Sequence, residues 1–354
     1  MCDRMMLNFD FPEKKGLLDM KKKNEALACR LNKVGGQALL EGVMMKSGEK
    51  VVLSVRRDDG SVETATDTFV SAKKKYKILG IPVVRGILGF IESMILSFRT
   101  LSRSLDMLGL DEMEEETKLD KWLKKHIGDK LTGIIMTVAG FLGLALGIGL
   151  FVFLPSLVTK LLDTYVYPLG WTKGLIEGVI KIGIFVLYMW AVSFMKDIRR
   201  TFEYHGAEHK SIACYESGME LTPENAAKCS RLHPRCGTSF MIVMLILSII
   251  VFSLPIVPWD NLFLRVGIKL LLLPVVMGLG YEFIMYAGKH DNFVTRLLSA
   301  PGLWMQRITT KEPDEAQLEI AITSIKLALC EEFPDFDPAT YSRKATDGDA
   351  GEEA

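Results

Sequence analysis

Three of the five histidines and three of the six cysteines in this chain fall within residues 203–239. His205 and His209 are four apart, the spacing that sets two imidazoles about a turn apart on one helix face and lets them grip a single metal ion. Glu208 adjoins His209 and is placed to poise a water on such an ion. His-x-x-Glu-His is also the reversed zinc-protease signature, which expects a distant glutamate as third ligand. Glu282, 73 residues after His209, stands at the end of the last apolar segment. His233 and Cys236 are nearer, and both are good zinc donors. Glu216 shares the face of His205 but lies roughly 10 Å beyond His209 on a straight helix, too far to complete the same mononuclear site. A divalent metal, zinc first, is the cofactor this pattern suggests. The competing reading has the histidines hydrogen-bonding to lipid headgroups or to Glu203 and Glu216. Cys214 and Cys229 complete the cysteine count of the stretch.

The elements that must hold these residues are strongly apolar. Leu131 to Thr159 carries no charge, and Thr238 to Trp259 is a second span of low polarity. Residues 174–195 and 266–287 are apolar with charges near one end. A helix of about 20 apolar residues crosses the ~30 Å hydrocarbon core of a bilayer, so the pattern predicts four transmembrane helices. Glu177 and Lys181, four apart, can pair on one face, and Arg265 and Lys269 can snorkel from a helix end. Basic residues crowd the segment before the first span and the 196–235 loop, and are sparse at 159–173 and 260–264. By the positive-inside rule both termini and the 203–239 stretch are expected in the cytoplasm, in a multi-pass cell-membrane protein. Thiols stay reduced there, which argues against a structural disulfide between Cys229 and Cys236.

Before the spans, Val51–Arg57 and Ser61–Thr68 flank Asp58-Asp59-Gly60, which reads as a β-hairpin. Gly35, Gly36 and Gly42 upstream read as a tight turn or close strand packing. No Gly-Lys-Ser/Thr follows them, so they are not a phosphate loop. Residues 78–103 read as an apolar helix with Arg85, Glu92 and Arg99 in one narrow stripe, lying either in the membrane interface or under the bundle. After the spans, Pro313, Asp314 and Glu315 suit a first helical turn, and Gln317–Cys330 repeats apolar residues at helical spacing. The balance of 43 basic and 43 acidic residues gives no reason to expect a nucleic-acid partner. The 18 methionines are spread through apolar segments and read as packing. His126 and His290 stand alone and read as surface residues.

Four stretches carry a resemblance: Gly35–Met45 (GGQALLEGVMM), Tyr204–Lys210 (YHGAEHK), His233–Phe240 (HPRCGTSF) and Pro301–Thr310 (PGLWMQRITT). Together they resemble the YqhQ-like family of bacterial membrane proteins of unknown function, described as predicted metal-dependent enzymes. The resemblance covers roughly residues 33–330. It implies a bacterial inner-membrane protein whose motif stretches include His205, Glu208, His209, His233 and Cys236, together with Gln37 and Glu41.

The expected architecture is therefore a mainly α integral membrane protein, with an N-terminal cytoplasmic α+β region containing a β-hairpin. Its expected parts are a flexible tail (1–32), a cytoplasmic region with hairpin and amphipathic helix (33–125), helices one and two (126–200), a cytoplasmic His/Cys loop (201–237), helices three and four (238–287), a C-terminal helical region (288–337) and a disordered tail (338–354). The leading functional expectation is a metal-dependent hydrolase of a membrane-associated substrate, with His205, His209, His233 and Cys236 as ligands and Glu208 as base. Two others stand beside it. One is a scaffold or regulator that binds a cytoplasmic protein partner, with structural zinc or no metal. The other is a small transporter using Arg85, Glu177 and Lys181. Three ligands in a cleft favour the enzyme, four the scaffold, and a central cavity at Glu177 the transporter.

Overall fold

The computed structural model describes residues 30–31, 33–75, 80–109, 131–233, 236–254, 256–287 and 293–342. The expectations for residues 1–29, the charged linker at 111–130, His126, His290 and residues 343–354 lie outside these.

Four strands form an antiparallel meander: β1 (Gly35–Leu39), β2 (Gly42–Ser47), β3 (Lys50–Arg56) and β4 (Val62–Thr68), in that order. The expected hairpin is β3–β4, with Lys50 opposite Thr68 and Arg56 opposite Val62. The sequence reading missed β1 and β2. Their connection is tight and carries no Asn-Gly signal; Glu41 itself takes the left-handed conformation, at φ 47°. Gly42 has close strand contact as its reason: a Cβ there would meet the Ser54 carbonyl oxygen at 2.4 Å.

One sheet face packs on helices from far along the chain. Helix α5 (Lys196–Glu216) and helix α10 (Glu315–Ala328) close over it. Val43, Met45, Val52, Tyr204, Ile212, Leu318, Ile322 and Ile325 share one core. Ser324 Oγ donates to the Val43 carbonyl at 2.8 Å, and Arg56 pairs with Glu319 at 2.7 Å. The N-terminal region, the 201–237 stretch and the C-terminal helix are thus one packed unit. Asp314 is the N-cap of α10 and forms a capping box with Gln317, so the first turn begins at Glu315, two residues after Pro313.

The apolar helices are α2 (Leu131–Ile148), which continues through π turns and α3 (Leu154–Leu161) to Val166, then α4 (Lys173–Val192), α7 (Gly237–Phe252) and α8 (Leu262–Ala287). Among the described residues, three helices are long and apolar enough to cross a membrane: Gly140–Tyr165, Gly170–Val192 and Leu262–Tyr286. The fourth expected span is shorter than the sequence suggested. Helix α7 has 16 residues, about 24 Å. Pro255 and Pro258 follow closely and cannot extend its hydrogen-bond ladder. The second span does not run straight into the histidine helix either, because the chain turns at Ser193–Met195 and Met195 is extended (ψ 131°) before α5 begins.

The expected 78–103 helix is α1, Val84–Leu108. Its Arg85, Glu92 and Arg99 stripe faces polar groups of the chain. Arg85 pairs with Glu282, Glu92 accepts from Ser71 Oγ and the Ala72 N–H at 2.7 Å each, and Arg99 lies 3.7 Å from Asp67. The exposed side of α1 is instead apolar: Ile91, Ile95 and Phe98. Gly86 of α1 lies against Gly278 of α8, where a Cβ would come within 3.0 Å of the Gly278 Cα. Helix α1 is thereby seated against the end of an apolar span.

Candidate metal centre

Helix α5 carries His205 and His209 on one face, as the spacing predicted, with ring centroids 4.4 Å apart. The chain leaves α5, makes the short helix α6 (Pro223–Ala227) and returns at Cys236, the N-cap of α7. The Cys236 sulfur accepts from the Thr238 N–H at 3.5 Å. One donor atom from each of His205, His209 and Cys236 lies within 4.8 Å of the others. The His205 Nε2 to Cys236 Sγ distance is 3.2 Å. Nitrogen and sulfur on one tetrahedral zinc sit roughly 3.6 Å apart, from bond lengths of ~2.1 and ~2.3 Å, so the trio needs only small rotations to share an ion.

Both imidazoles are oriented by backbone carbonyls. His205 Nδ1 is 2.9 Å from the Thr309 oxygen, and His209 Nδ1 is 2.6 Å from the Arg231 oxygen. A carbonyl can only accept, so each Nδ1 carries the proton and each Nε2 keeps its lone pair for a ligand. Burial pulls the pKa of His209 down and keeps it neutral, the form that binds metal. Neither carbonyl was visible as a partner in the sequence, since Thr309 is 104 residues from His205.

His233 does not join the trio. Its ring is 5.6 Å from that of His209, and its Nε2 lies 3.5 Å from Glu216. Gln306 fixes its backbone, accepting from the His233 N–H at 2.8 Å and donating to its carbonyl at 2.7 Å. Glu216 is spatially beyond the trio, as the helix rise required. Glu282, the distant glutamate of the reversed-protease pattern, is held instead by Arg85 and accepts from the Val83 N–H at 3.2 Å.

Glu208 borders the trio on the wall of a cavity of about 800 Å³ that is also lined by His205, His209, His233 and Cys236. It is 5% exposed, and among the described residues its carboxylate has no hydrogen-bond or ion-pair partner. Burial pushes its pKa up, while the charges of His205 and His209's neighbour His233 pull the other way. Gly36 of β1 makes room for it, because a Cβ there would sit 2.8 Å from the Glu208 Cγ. This contact with Glu208 is one that the turn reading of Gly36 missed. In the same motif stretch Gln37 lines the cavity and accepts from Ser97 Oγ at 2.8 Å, whereas Glu41 is committed to Arg200 and Tyr204.

A set of apolar helices beside a largely buried His-His-Cys cluster, carried by α5 and the start of α7 on the wall of a cavity, defines the class: a membrane-protein candidate with a possible metal-donor set. The comparisons give the family. Residues 81–331 match the family described as "Protein of unknown function (DUF1385)", and the chain belongs to it. It is 36% identical over 301 residues to the "Uncharacterized protein YqhQ" of Bacillus subtilis (strain 168), an alignment covering 83% of this chain and 92% of that protein. The resemblance read from the four motifs therefore holds as far as the family, one of unknown function. No solved structure matches the chain.

Proposed function

We propose that this protein is a metal-dependent hydrolase working at the cytoplasmic face of the cell membrane on a membrane-associated substrate. The observation that carries the reading is the joint placement of His205, His209 and Cys236, whose donor atoms face one another, with a Glu208 carboxylate that has no partner among the described residues, on one cavity wall. Three protein ligands leave a fourth position open, the arrangement of catalytic rather than structural zinc. A divalent ion held there supplies Lewis acidity at that open position. His205 and His209 orient through Thr309 and Arg231 and hold the donor geometry. Glu208 takes the proton from the attacking water and returns it to the leaving group as the scissile bond breaks; its desolvated carboxylate is basic enough for that exchange. His233, one ring contact away and beside Glu216, is the fourth ligand only in the rival structural-zinc reading.

The fuller topology belongs to the same proposal. Helix α7 is the fourth, short span, both termini are cytoplasmic, and the basic loops flanking α5 fix that orientation. Purified in detergent, the protein is expected to carry stoichiometric metal of the zinc class. A His205→Ala, His209→Ala double variant should lose it. Equal metal in parent and double variant sinks the reading.

A further inference from the structure

The cavity does not end at the metal centre. It runs away from His205 and Glu208 into a groove between α1, α7 and α8, lined by Phe90, Met94, Phe240, Met241, Tyr281 and Ile284. The Phe90 and Phe240 rings stand 6.3 Å apart across it. Met94 and Met241 line the cavity and are each 40% exposed, so they frame an opening on the outer surface. On α1 that opening adjoins Ile91, Ile95 and Phe98, the last 67% exposed. Helices α7 and α8 are among the most apolar of the chain, and α1 is seated on α8 at Gly86 and Gly278. The mouth therefore opens on the same apolar surface as the candidate spans, whereas the deep end is polar, with Gln37, Ser97 and Glu208.

We propose that the groove receives one hydrocarbon chain of an amphiphile that enters sideways from the bilayer between Met94 and Met241, placing a polar headgroup at the His205–Glu208 end. The assignment of the headgroup end as the reacting end rests on the hydrolase reading; the seating of the chain does not. Three features select an amphiphile over a soluble substrate: an apolar channel with a polar floor, an opening framed by two flexible thioethers able to adapt to an irregular chain, and a continuous apolar surface outside that opening. A cavity of about 800 Å³ falls within the roughly 300–1,000 Å³ range of sites that enclose small ligands.

The test uses the full chain in nanodiscs of phosphatidylethanolamine and phosphatidylglycerol, with a hexadecyl phosphate bearing a photoactivatable diazirine on its chain. Labelled positions are mapped by mass spectrometry. Label is expected to concentrate on the α1 and α7 peptides carrying Phe90–Ser97 and Phe240–Met241. A Met94→Trp, Met241→Trp variant should cut it at least tenfold, and Leu271→Trp, on a surface 79% exposed elsewhere on α8, should leave it unchanged. Should the tryptophan pair not fold, Ser93→Trp narrows the groove from within and serves the same purpose. His205→Ala should keep the groove label, so loss of the metal reading and loss of this one are told apart. The proposal is overturned by label spread over all apolar faces in proportion to exposure, by label insensitive to the groove-filling variants, or by equal competition from butyl phosphate, which has a headgroup but no chain to fill the groove.

Discussion

The molecule has two buried polar centres, at opposite ends of its apolar helices, and they are built on opposite principles. At one end, Glu177 of α4 receives Arg265 at 2.5 Å and Lys269, both from α8, while Lys269 also donates to Ser156 Oγ at 2.7 Å. Arg265 stacks 3.3 Å over Trp259, and Lys181 donates to Ser248 Oγ at 3.1 Å. At the other end, beyond the ~25 Å that separates Arg265 from Glu282 along α8, His205, His209 and Cys236 face one another and Glu208 faces a cavity. In the first centre Glu177 spends its carboxylate on Arg265 and Lys269, and Ser156 and Ser248 take up the lysines, while the Arg265 Nε has no partner among the described residues. In the second, backbone carbonyls take up one nitrogen of each imidazole, and the other nitrogen of His205 faces the Cys236 sulfur within the cluster. A closed network fixes helices; an open one retains the capacity to bind.

The largest effect that would break this comparison is at Glu177. Glu177→Ala strands Arg265 and Lys269 in the interior, and losing one partner of a buried ion pair costs about 3–5 kcal/mol. Thermal unfolding in detergent should show a large drop in Tm or no folded protein. An unchanged Tm would mean that the distal charges do not depend on one another. Glu208→Gln should do the reverse: Tm stays level or rises, because a buried carboxylate without a partner becomes a neutral amide, while turnover of an amphiphilic ester falls by ~10²–10⁴, the usual contribution of a general base. A fall in Tm like that of Glu177→Ala would place Glu208 in a structural network after all. The smallest expected effect is Gly36→Ala. The added methyl must displace Glu208, an overpacking strain of about 1–3 kcal/mol, so turnover should fall modestly with metal content unchanged. A loss of metal instead would show that Glu208 belongs to the ligand set.

The two centres also differ in how far the sequence disclosed them. The i, i+4 spacing of His205 and His209 and the alternation around Asp58–Gly60 are local patterns, and local geometry follows from them directly. Cys236 could be named because the chain must return beside the helix it left. His233 could not be separated from it, since Gln306, 73 residues away, sets the backbone that turns its ring toward Glu216. Glu282 read as a candidate third ligand, but Arg85, 197 residues earlier, holds it. At the distal centre, Glu177 and Lys181 suggested an intrahelical pair by spacing, yet Glu177 binds α8 instead. Helix α7 read as a full span because composition alone does not show that its hydrogen-bond ladder ends at Phe252.

The cover over the N-terminal sheet has a consequence for how the protein is made. Ser324 binds Val43 across 281 residues, so the sheet strands leave the ribosome long before the helix that shields them. At roughly 5–20 residues per second, synthesis of the intervening chain takes about 14–56 s. During that interval the nascent sheet has an apolar face with no α10 to bury it, while the spans are being inserted. The order of synthesis therefore leaves that face to be covered in the interval by something other than α10, such as a chaperone or the membrane surface.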